Sequence, residues 1–393
     1  MTDQASSGPL AGRLRQRRNR FLNLLRTEPG INRRECARRL GVSGYSISKL
    51  SRQLLQEGVI FEGPSQRPGT GAGRPVIPLH ISGDCEIFGG LDIEAYTLRF
   101  AVVDFAGIVR YTDSTRLRPG ARGGDYAQQI TDFLARQSER CPFWHQLSAV
   151  GIGAPGAIDY KSGTVLNYSV LPGFSDVPVR DLAGAAVGRP VHLIWNIRAL
   201  AVFAGLKHPK LNRGWVLHIG MRSGIASVFT HDGNLLRGSR RRAGEVGLFP
   251  VCHSDGTVGP LEQFSGLRAL RRELPQLPSS FWDGDGDALA AAWQRQEIRS
   301  VLEPRLDLFA RFLCGLTFFG DLDRIIVYGT LFSDTSPLWL NLQEQYRRYL
   351  DSYGEDSAYP TELLILQNST YAAAAGAALH ALYRRYPVTP PIS

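Results

Sequence analysis

The sequence predicts an α/β protein of two parts, a small winged helix-turn-helix head over residues 1–81 and a larger α/β body over residues 82–393. Three observations predict it. The 393 residues are too many for one hydrophobic core. The first 80 residues contain 14 Lys and Arg against 5 Asp and Glu, whereas the remainder carries equal numbers of both. From Ile87 onward, strand patterns alternate with helix patterns.

The composition excludes several classes of protein. No run of about 18 apolar residues occurs, and residues 1–10 lack an apolar signal core, so we expect a cytoplasmic protein without a membrane segment. The cysteines are odd in number and form no CxxC pair, which argues against disulfides and against a cysteine-based zinc site. We interpret them as buried or incidental thiols: Cys36, Cys85, Cys141, Cys252 and Cys314.

The head is predicted to hold three helices. The first covers Arg13 to Thr27 and ends at Pro29-Gly30. Asn32 is a plausible N-cap for a second helix that runs to Leu40, and Gly41 makes the turn that follows. Ser43 caps a third helix that reaches about Glu57 and has one apolar stripe. A short helix, a glycine turn and an amphipathic helix form a helix-turn-helix.

Two short strands complete the head. Val59 to Phe61 and Val76 to Ile81 have strand patterns, and a Gly/Pro-rich stretch near 63–75 separates them. Two strands around a loop make a wing. Within the loop, residues 69–75 have two interpretations. They form either a flexible linker or a slim arm that places Arg74 in a minor groove.

The basic head on a neutral body indicates a polyanionic partner, and duplex DNA is the first candidate. The third helix would lie in the major groove with its N-terminal residues nearest the bases. We expect base contacts from Ser43, Tyr45, Ser46 and Lys49. We expect phosphate contacts from Arg33, Arg34 and Arg52. The alternative is a solvated basic face on an ordinary helical domain.

The body has the alternating pattern of a mixed sheet covered by helices. The expected elements are two strands within 88–105, a helix over 125–140, strands at 149–153, 191–195 and 215–219, and an Ala-rich helix over 369–386. The small side chains of that last helix favour close packing in the core over a role in function.

Several motifs occur in a characteristic order along the chain. They are Gly73-Arg74-Pro75, Asp92-Ile93, Gly153 to Asp159, Leu171-Pro172-Gly173-Phe174 and Ala243 to Gly247. In this order they resemble the ROK family, which groups repressors and sugar kinases. The resemblance covers nearly the whole chain. It implies that the body has the actin-like, hexokinase-like fold of two lobes.

The chain departs from the kinase pattern of that family at separate points. The catalytic Asp of the kinases falls at Ile197, which cannot accept a proton. The first phosphate loop carries Glu94, which would repel ATP, and the second reads Gly220 to Gly224. The adenosine-side glycine cluster is reduced to Tyr328-Gly329-Thr330. We therefore expect no kinase activity and no cofactor.

The zinc site of the family is also expected to be missing. Its His position is Leu248, and the loop of residues 252–260 keeps a single cysteine. Adjacent Cys252 and His253 do not make a tetrahedral site. We expect no metal.

The resemblance implies a partly preserved sugar site. Asn196, Glu245 and Glu262 match residues that bind sugar hydroxyls, and Gly156 lies in the sugar-side loop. For the two glutamates an alternative stays open, because they could instead cap helices or pair with Arg240–Arg242.

The sequence thus predicts a DNA-binding transcriptional regulator, a repressor, that binds a pseudo-palindromic operator as a homodimer or homotetramer. A sugar, a sugar derivative or an anionic effector in the cleft would control it. Two alternatives stay open. One is a regulator without an effector, whose body serves dimerisation or binds a protein partner. The other is a sugar kinase with a regulatory head.

Overall fold

The computed structural model describes residues 9–66, 75–120, 122–236, 238–239, 243–253, 255–353, 361–366 and 370–388. Two features of the sequence analysis fall outside these ranges. They are Arg74, the predicted minor-groove residue, and Arg240–Arg242, the alternative partners of Glu245 and Glu262.

The head folds as a helix-turn-helix with a wing. Its elements are α1 (Pro9–Thr27), α2 (Arg33–Leu40), α3 (Gly44–Gln56), β1 (Ile60–Glu62) and β2 (Leu79–Ile81). Asn32 Oδ1 accepts the N–H of Glu35 at 3.0 Å and so caps α2. Gly41 ends α2 in the left-handed conformation at φ 64°, which glycine adopts without strain. The predicted caps, turn and helices are therefore confirmed.

The second strand of the wing is shorter than the sequence pattern predicts. Strands β1 and β2 pair antiparallel from Ile60↔Ile81 to Glu62↔Leu79. The predicted strand began at Val76, which forms only an isolated bridge with Gln66. Pro78 has no N–H to donate, so a continuous ladder cannot pass through it.

The first lobe is built on a five-stranded sheet in the order β10-β6-β3-β4-β5. Its elements are β3 (Ile87–Glu94), β4 (Thr97–Asp104), β5 (Val109–Arg116), α4 (Gly123–Arg140), β6 (Leu147–Ala154), β7 (Ala157–Asp159), β8 (Thr164–Asn167), β9 (Ser175–Val177), α5 (Val179–Val187), β10 (Val191–Trp195) and α6 (Asn196–Lys207). Strand β6 pairs parallel with both β3 and β10, and β3 pairs antiparallel with β4.

The second lobe repeats this plan with the sheet order β13-β12-β11-β16-β17. Its elements are β11 (Trp215–Met221), β12 (Ile225–His231), β13 (Asn234–Leu235), β14 (Pro250–Cys252), β15 (Val258–Pro260), α7 (Leu261–Ser265), α8 (Leu267–Glu273), α9 (Ser279–Asp283), α10 (Gly286–Gln294), α11 (Gln296–Gly320), β16 (Arg324–Tyr328), α12 (Pro337–Tyr353) and β17 (Glu362–Ile365). Each sheet starts with an antiparallel hairpin and adds parallel strands, so the two lobes are related.

The last helix, α13 (Ala372–Arg385), returns to the first lobe and is almost completely buried. A Cβ atom on Gly90 would lie 1.9 Å from the carbonyl oxygen of Ala374, and one on Gly151 would lie 1.8 Å from that of Ala377. Only glycine permits this approach of backbone to backbone. The expectation that the Ala-rich helix belongs to the core is confirmed.

Helix α1 joins the head to the body through a shared hydrophobic core. Phe21 and Leu22 belong to the same buried cluster as Leu382 of α13. Arg26 Nε donates to the carbonyl oxygen of Phe105 at 2.8 Å, and the guanidinium lies 4.4 Å from the centre of the Phe105 ring. Burial lowers the pKa of Arg26 to about 10, so it stays charged at neutral pH. The α1 segment is thus fixed to the body. None of the helices in the described ranges has the length and apolar content that a membrane span requires.

Candidate functional site

The outward face of α3 is exposed where the sequence predicts base contacts. Tyr45 is 78% exposed, and Lys49 and Arg52 also lie at the surface. Ile47 and Leu54 are fully buried on the other side of the helix. One side of α3 therefore anchors it, and the other presents Tyr45, Lys49 and Arg52 to solvent. We call these three residues the reading face.

Two of the predicted base contacts also start α3. Ser43 Oγ accepts the N–H of Ser46 at 3.3 Å and donates to Ser46 Oγ at 3.0 Å. Both hydroxyls thus take part in the N-cap, which stabilises the helix by about 1 kcal/mol. Their contact with bases stays a prediction.

The predicted phosphate contacts differ in their surroundings. Arg33 Nε donates to Ser51 Oγ at 2.8 Å, and Arg33 Nη2 donates to Glu62 at 2.6 Å. Arg34 and Arg52 are exposed, and neither forms an ion pair with an acidic side chain in the described part of the chain. A phosphate could reach Arg34 and Arg52 directly, whereas Arg33 would first have to leave Glu62.

All the residues that the sequence assigns to the effector line one cavity of about 660 Å³ between the lobes. Gly156 and Asn196 lie on the side of the first lobe, and Glu245 and Glu262 lie on the side of the second. We call this the sugar-side cavity. A concave site with a few convergent polar groups is typical of small-molecule binding.

The turns of two hairpins, one from each lobe, meet across this cleft. Glu94 ends β3, and Ser223 lies between β11 and β12. The Glu94 carboxylate accepts the Ser223 N–H at 3.2 Å and the Ser223 hydroxyl at 2.6 Å. It also accepts the Asn196 amide at 2.7 Å, and Arg222 Nη1 lies 3.4 Å from it. We call Glu94, Asn196, Arg222 and Ser223 the interlobe bridge.

Asp92 lies directly behind the bridge and is fully buried. Arg222 Nη2 donates to it at 3.0 Å, and Arg99 Nη1 lies 3.8 Å away. Burial raises the pKa of Asp92, and the two guanidinium groups act against that rise. Burial alone would lower the pKa of Arg222, but Glu94 and Asp92 together raise it, so Arg222 stays charged. A mostly buried arginine therefore joins two carboxylates of the other lobe.

Tyr168 adds a hydrogen bond to the same junction. Its hydroxyl accepts the Ala95 N–H at 3.0 Å and lies 2.8 Å from Ser223 Oγ. Because Ser223 donates to Glu94, Tyr168 must donate to Ser223. Burial raises the pKa of the Tyr168 phenol, so the proton that this bond needs is retained.

The fold has close relatives among solved structures. A ROK family transcriptional regulator, a homolog of the E. coli MLC protein, superposes with a TM-score of 0.66 over 94% of this chain and 96% of that one, at 17% identity. A ROK family glucokinase from Streptomyces griseus, solved with glucose and AMPPNP, gives a TM-score of 0.59 over 75% of this chain and 99% of that one, at 24% identity. At these identities the likeness shows the fold alone.

The family model described as ROK family matches residues 88–384. This chain belongs to the ROK family. The xylose repressor of Caldicellulosiruptor bescii is 24% identical over 258 residues, which cover 63% of this chain. The match spans 63% of that repressor's own length. The predicted family and the mixed α/β fold of its body are confirmed, and the N-terminal helices are consistent with the predicted helix-turn-helix.

Ile197, at the position that matches the catalytic Asp of the ROK kinases, is a core residue in this chain. Ile197 is 2% exposed and packs in one hydrophobic cluster with Trp195 and Leu200. Its Cδ1 atom would lie 3.1 Å from a Cβ on Gly220, so it fills the space beside the second hairpin turn. The Ile197 side chain itself cannot accept a proton.

Glu262 sits where two glycines leave room for its carboxylate. A Cβ on Gly224 would lie 2.7 Å from Glu262 Oε2, and one on Gly247 would lie 2.9 Å from it. This placement suits a ligand contact in a ROK sugar site. The alternative pairing with Arg240–Arg242 falls outside the described residues, so both readings of Glu245 and Glu262 stay open.

The loop that carries zinc in other ROK proteins has a different arrangement here. Cys252 is exposed, and the His253 ring stacks on Phe264 with centroids 5.2 Å apart. In the part of the chain that the structure covers, no group of three or more His, Cys, Asp and Glu side chains is placed to hold a metal ion. Cys36, Cys141 and Cys314 are buried and Cys85 is exposed, and none of these four takes part in a disulfide among the described residues.

Sequence reasoning missed the interlobe bridge. It identified Glu94 as an obstacle to phosphate and Asn196 as an effector contact, but not that they bond to each other. It also missed Arg222, Ser223 and Tyr168. The partners are 129 residues apart for Glu94 and Ser223. The available signal was the gain of an acid in one hairpin turn and of an arginine in the other.

Proposed function

We propose that this chain is a transcriptional repressor that binds duplex DNA through α3 and is controlled by a sugar-like effector in the sugar-side cavity. The exposed reading face carries the first half of the proposal. A helix anchored on one side and basic on the other suits the major groove. The similarity to a xylose repressor supports the second half.

We also propose that the protein is not an enzyme. Phosphoryl transfer needs a base for the attacking hydroxyl and donors for the phosphates. Ile197 cannot serve as the base. The N–H and hydroxyl of Ser223 already bind Glu94. The similarity to a glucokinase shows the fold alone.

We propose that the repressor acts as a homodimer or homotetramer on a pseudo-palindromic operator, in the cytoplasm, where the DNA is. An exposed aromatic patch on α11 and α12 supports self-association. Phe319 is 84% exposed, Phe318 is 50% exposed, and Phe318 packs edge-on against Tyr353. Exposed apolar patches of this kind mark interaction surfaces.

The effector would act through the cleft. The bridge connects the lobes, and α1 is fixed to the first lobe, so a change of lobe angle would move the paired heads relative to each other. Effector and DNA affinities would then be linked reciprocally.

The test begins with a selection in which the full-length protein enriches the DNA duplexes that it binds from a random-sequence pool. Fluorescence anisotropy then gives the affinity for the selected duplex with and without D-xylose and D-glucose, and an ATP turnover assay runs in parallel. We expect sequence-specific binding, a shift of affinity with one sugar, and no turnover. Absence of duplex binding at moderate salt, or phosphorylation of either sugar, would contradict the proposal.

A further inference from the structure

A second cavity, of about 750 Å³, lies on the other side of the interlobe bridge. Glu94, Arg222 and Ser223 line both cavities, so the bridge forms the wall between them. Both lobes line this second cavity. Arg116, for example, belongs to the first lobe, and Arg271 belongs to the second. We call this the arginine-lined cavity.

The charge of its lining is strongly positive. Among the residues that the structure describes, five arginines line it: Arg99, Arg116, Arg222, Arg268 and Arg271. Two acidic residues, Glu94 and Asp283, oppose them. Because Glu94 is already bonded to the bridge, Asp283 alone faces the outer arginines with a carboxylate that makes no ion pair in the described ranges.

Two of the arginines come from opposite lobes and repel each other. Burial lowers the pKa of Arg271, and the positive charge of Arg116 lowers it further, against the attraction of Asp283. Arg271 is held in place because its guanidinium lies 5.2 Å from the centre of the Trp282 ring, which also lines the cavity. An anion between Arg116 and Arg271 would replace this repulsion by two attractions.

The inner end of the cavity is not electrostatically saturated either. Arg99 Nη1 and Arg222 Nη1 are buried and have no hydrogen-bond acceptor within the described residues. They only approach carboxylates, at 3.8 Å for Arg99 to Asp92 and 3.4 Å for Arg222 to Glu94. The remaining wall is largely apolar and includes Leu200. The cavity thus combines arginines with a surface for carbon atoms.

We propose that the arginine-lined cavity binds a small organic anion with a phosphate or carboxylate group, held between Arg116 of the first lobe and Arg271 of the second. Guanidinium groups bind both anions through paired hydrogen bonds. The site is separate from the sugar-side cavity and does not depend on DNA binding. A bound anion would draw the two lobes together.

A nucleoside triphosphate does not suit this cavity. Its phosphates would need the donors of the second hairpin turn, and the Glu94 carboxylate already accepts the Ser223 N–H and hydroxyl. The negative charges of these phosphates and of the Glu94 carboxylate would repel each other. The ligand must therefore place its anionic group between Arg116 and Arg271, which leaves the unpaired Nη1 groups of Arg99 and Arg222 to donate to its neutral oxygen atoms.

The test is isothermal titration calorimetry on the full-length protein. The probes are D-glucose 6-phosphate, D-gluconate, inorganic phosphate, D-glucose and adenosine. The variants are Arg116→Gln and Arg271→Gln, both exposed positions. The matched control is Arg272→Gln, an exposed neighbour on α8 that does not line the cavity.

We expect at least one of the three anions to bind, and each of the two cavity variants to weaken it about tenfold, as loss of a charge-assisted contact does. The control should bind as the wild type does. Preference for the phosphate or the carboxylate probe identifies the anionic group.

Three results would overturn the proposal. The first is no binding of any anion. The second is binding that survives both cavity substitutions, because the site would then lie elsewhere, for example in the basic head, or that falls equally in Arg272→Gln, because the overall positive charge would then account for it. The third is binding of D-glucose or adenosine that is as tight as that of the anions and equally sensitive to the two substitutions. Duplex binding by the wild type is measured separately, so failure of the repressor proposal is recognised independently.

Discussion

The reading face and the interlobe bridge use charge in opposite ways. Lys49 and Arg52 of the reading face are exposed and form no ion pair with described acidic residues. Arg222 of the bridge is mostly buried and holds two carboxylates. A phosphate can therefore bind the reading face without displacing a protein group. A ligand that contacts the bridge must exchange with bonds that the protein already makes.

This difference indicates where each part of the proposed function resides. The exposed charges supply affinity for DNA, which should fall steeply with salt. The buried charges fix the lobe angle and should respond little to salt. Substitutions should accordingly separate the two regions, with loss of stability for the bridge and loss of binding for the reading face.

The largest effect should come from Arg222→Ala. It leaves Asp92 and Glu94 without their shared guanidinium, and breaking a buried ion pair costs about 3–5 kcal/mol. Urea unfolding followed by fluorescence gives the free energy of unfolding. Arg272→Ala is the control at an exposed position and should change it by less than about 0.5 kcal/mol. Equal stability of both variants would show that the bridge contributes little.

The reading face should show a smaller, different effect. Lys49→Ala should reduce discrimination between the selected duplex and a mismatched one by about 1–3 kcal/mol. Arg52→Ala should weaken binding to both duplexes alike and reduce the slope of log affinity against log salt concentration by about one. Anisotropy titrations at several salt concentrations measure both. Unchanged specificity in Lys49→Ala would place base recognition elsewhere. The free energy of unfolding should stay near that of the wild type.

Acid should affect the buried groups and spare the reading face. Burial lowers the pKa of His218 to about 3, against an ordinary value of about 6.5. Between pH 6.5 and about pH 3, His218 is therefore protonated in the unfolded chain but neutral in the folded chain. This contribution to stability is complete above pH 6.5 and falls by about 1.4 kcal/mol per pH unit below it, toward pH 3.

The measurement is urea unfolding at pH 7 and pH 5 for the wild type and His218→Gln. The wild type should lose more stability between these pH values than the variant does. His218 bonds to Tyr328 at 2.7 Å, so Gln will lower the absolute stability, and only the pH difference decides. An equal loss in both proteins would mean that His218 is not the group that titrates.

The smallest effect should come from Glu94→Gln. The amide keeps the shape, and its single carbonyl oxygen can still accept from Ser223, but its NH2 group cannot accept from Asn196, and the substitution removes one of the two charges that face Arg222. We expect a loss of about 1 kcal/mol in unfolding free energy. Because the lobes are then held less firmly, the sugar that shifts DNA affinity should bind more tightly by calorimetry. Weaker sugar binding would show that the Glu94 charge helps to form the site.

The sequence sufficed where the signals are local. Asn32, Gly41 and Ser43 cap or end helices through residues within a few positions of themselves, so α2 and α3 could be predicted to within a residue or two. Helix α1 begins at Pro9, four residues before its predicted start. The predicted strand from Val76 was too long because the effect of Pro78 on the ladder was not considered. Helices α5 to α12 were not predicted at all.

The cleft could be predicted only in part, for a physical reason. Gly156, Asn196, Glu245 and Glu262 were assigned by resemblance, and they do line one cavity. The bridge depends on two hairpin turns that the fold brings together. No local pattern records that contact, which is why Arg222 and the arginine-lined cavity were missed.

The most direct test compares DNA affinity with and without effector in one titration series. Full-length protein is titrated against its selected duplex at fixed salt, with D-xylose or D-glucose absent or saturating, and the sugar is recovered and analysed afterwards. We expect a change of at least about fivefold in affinity, with the sugar recovered unphosphorylated in the presence of ATP. Duplex affinity that no sugar changes, or recovery of a sugar phosphate, would contradict a sugar-controlled repressor.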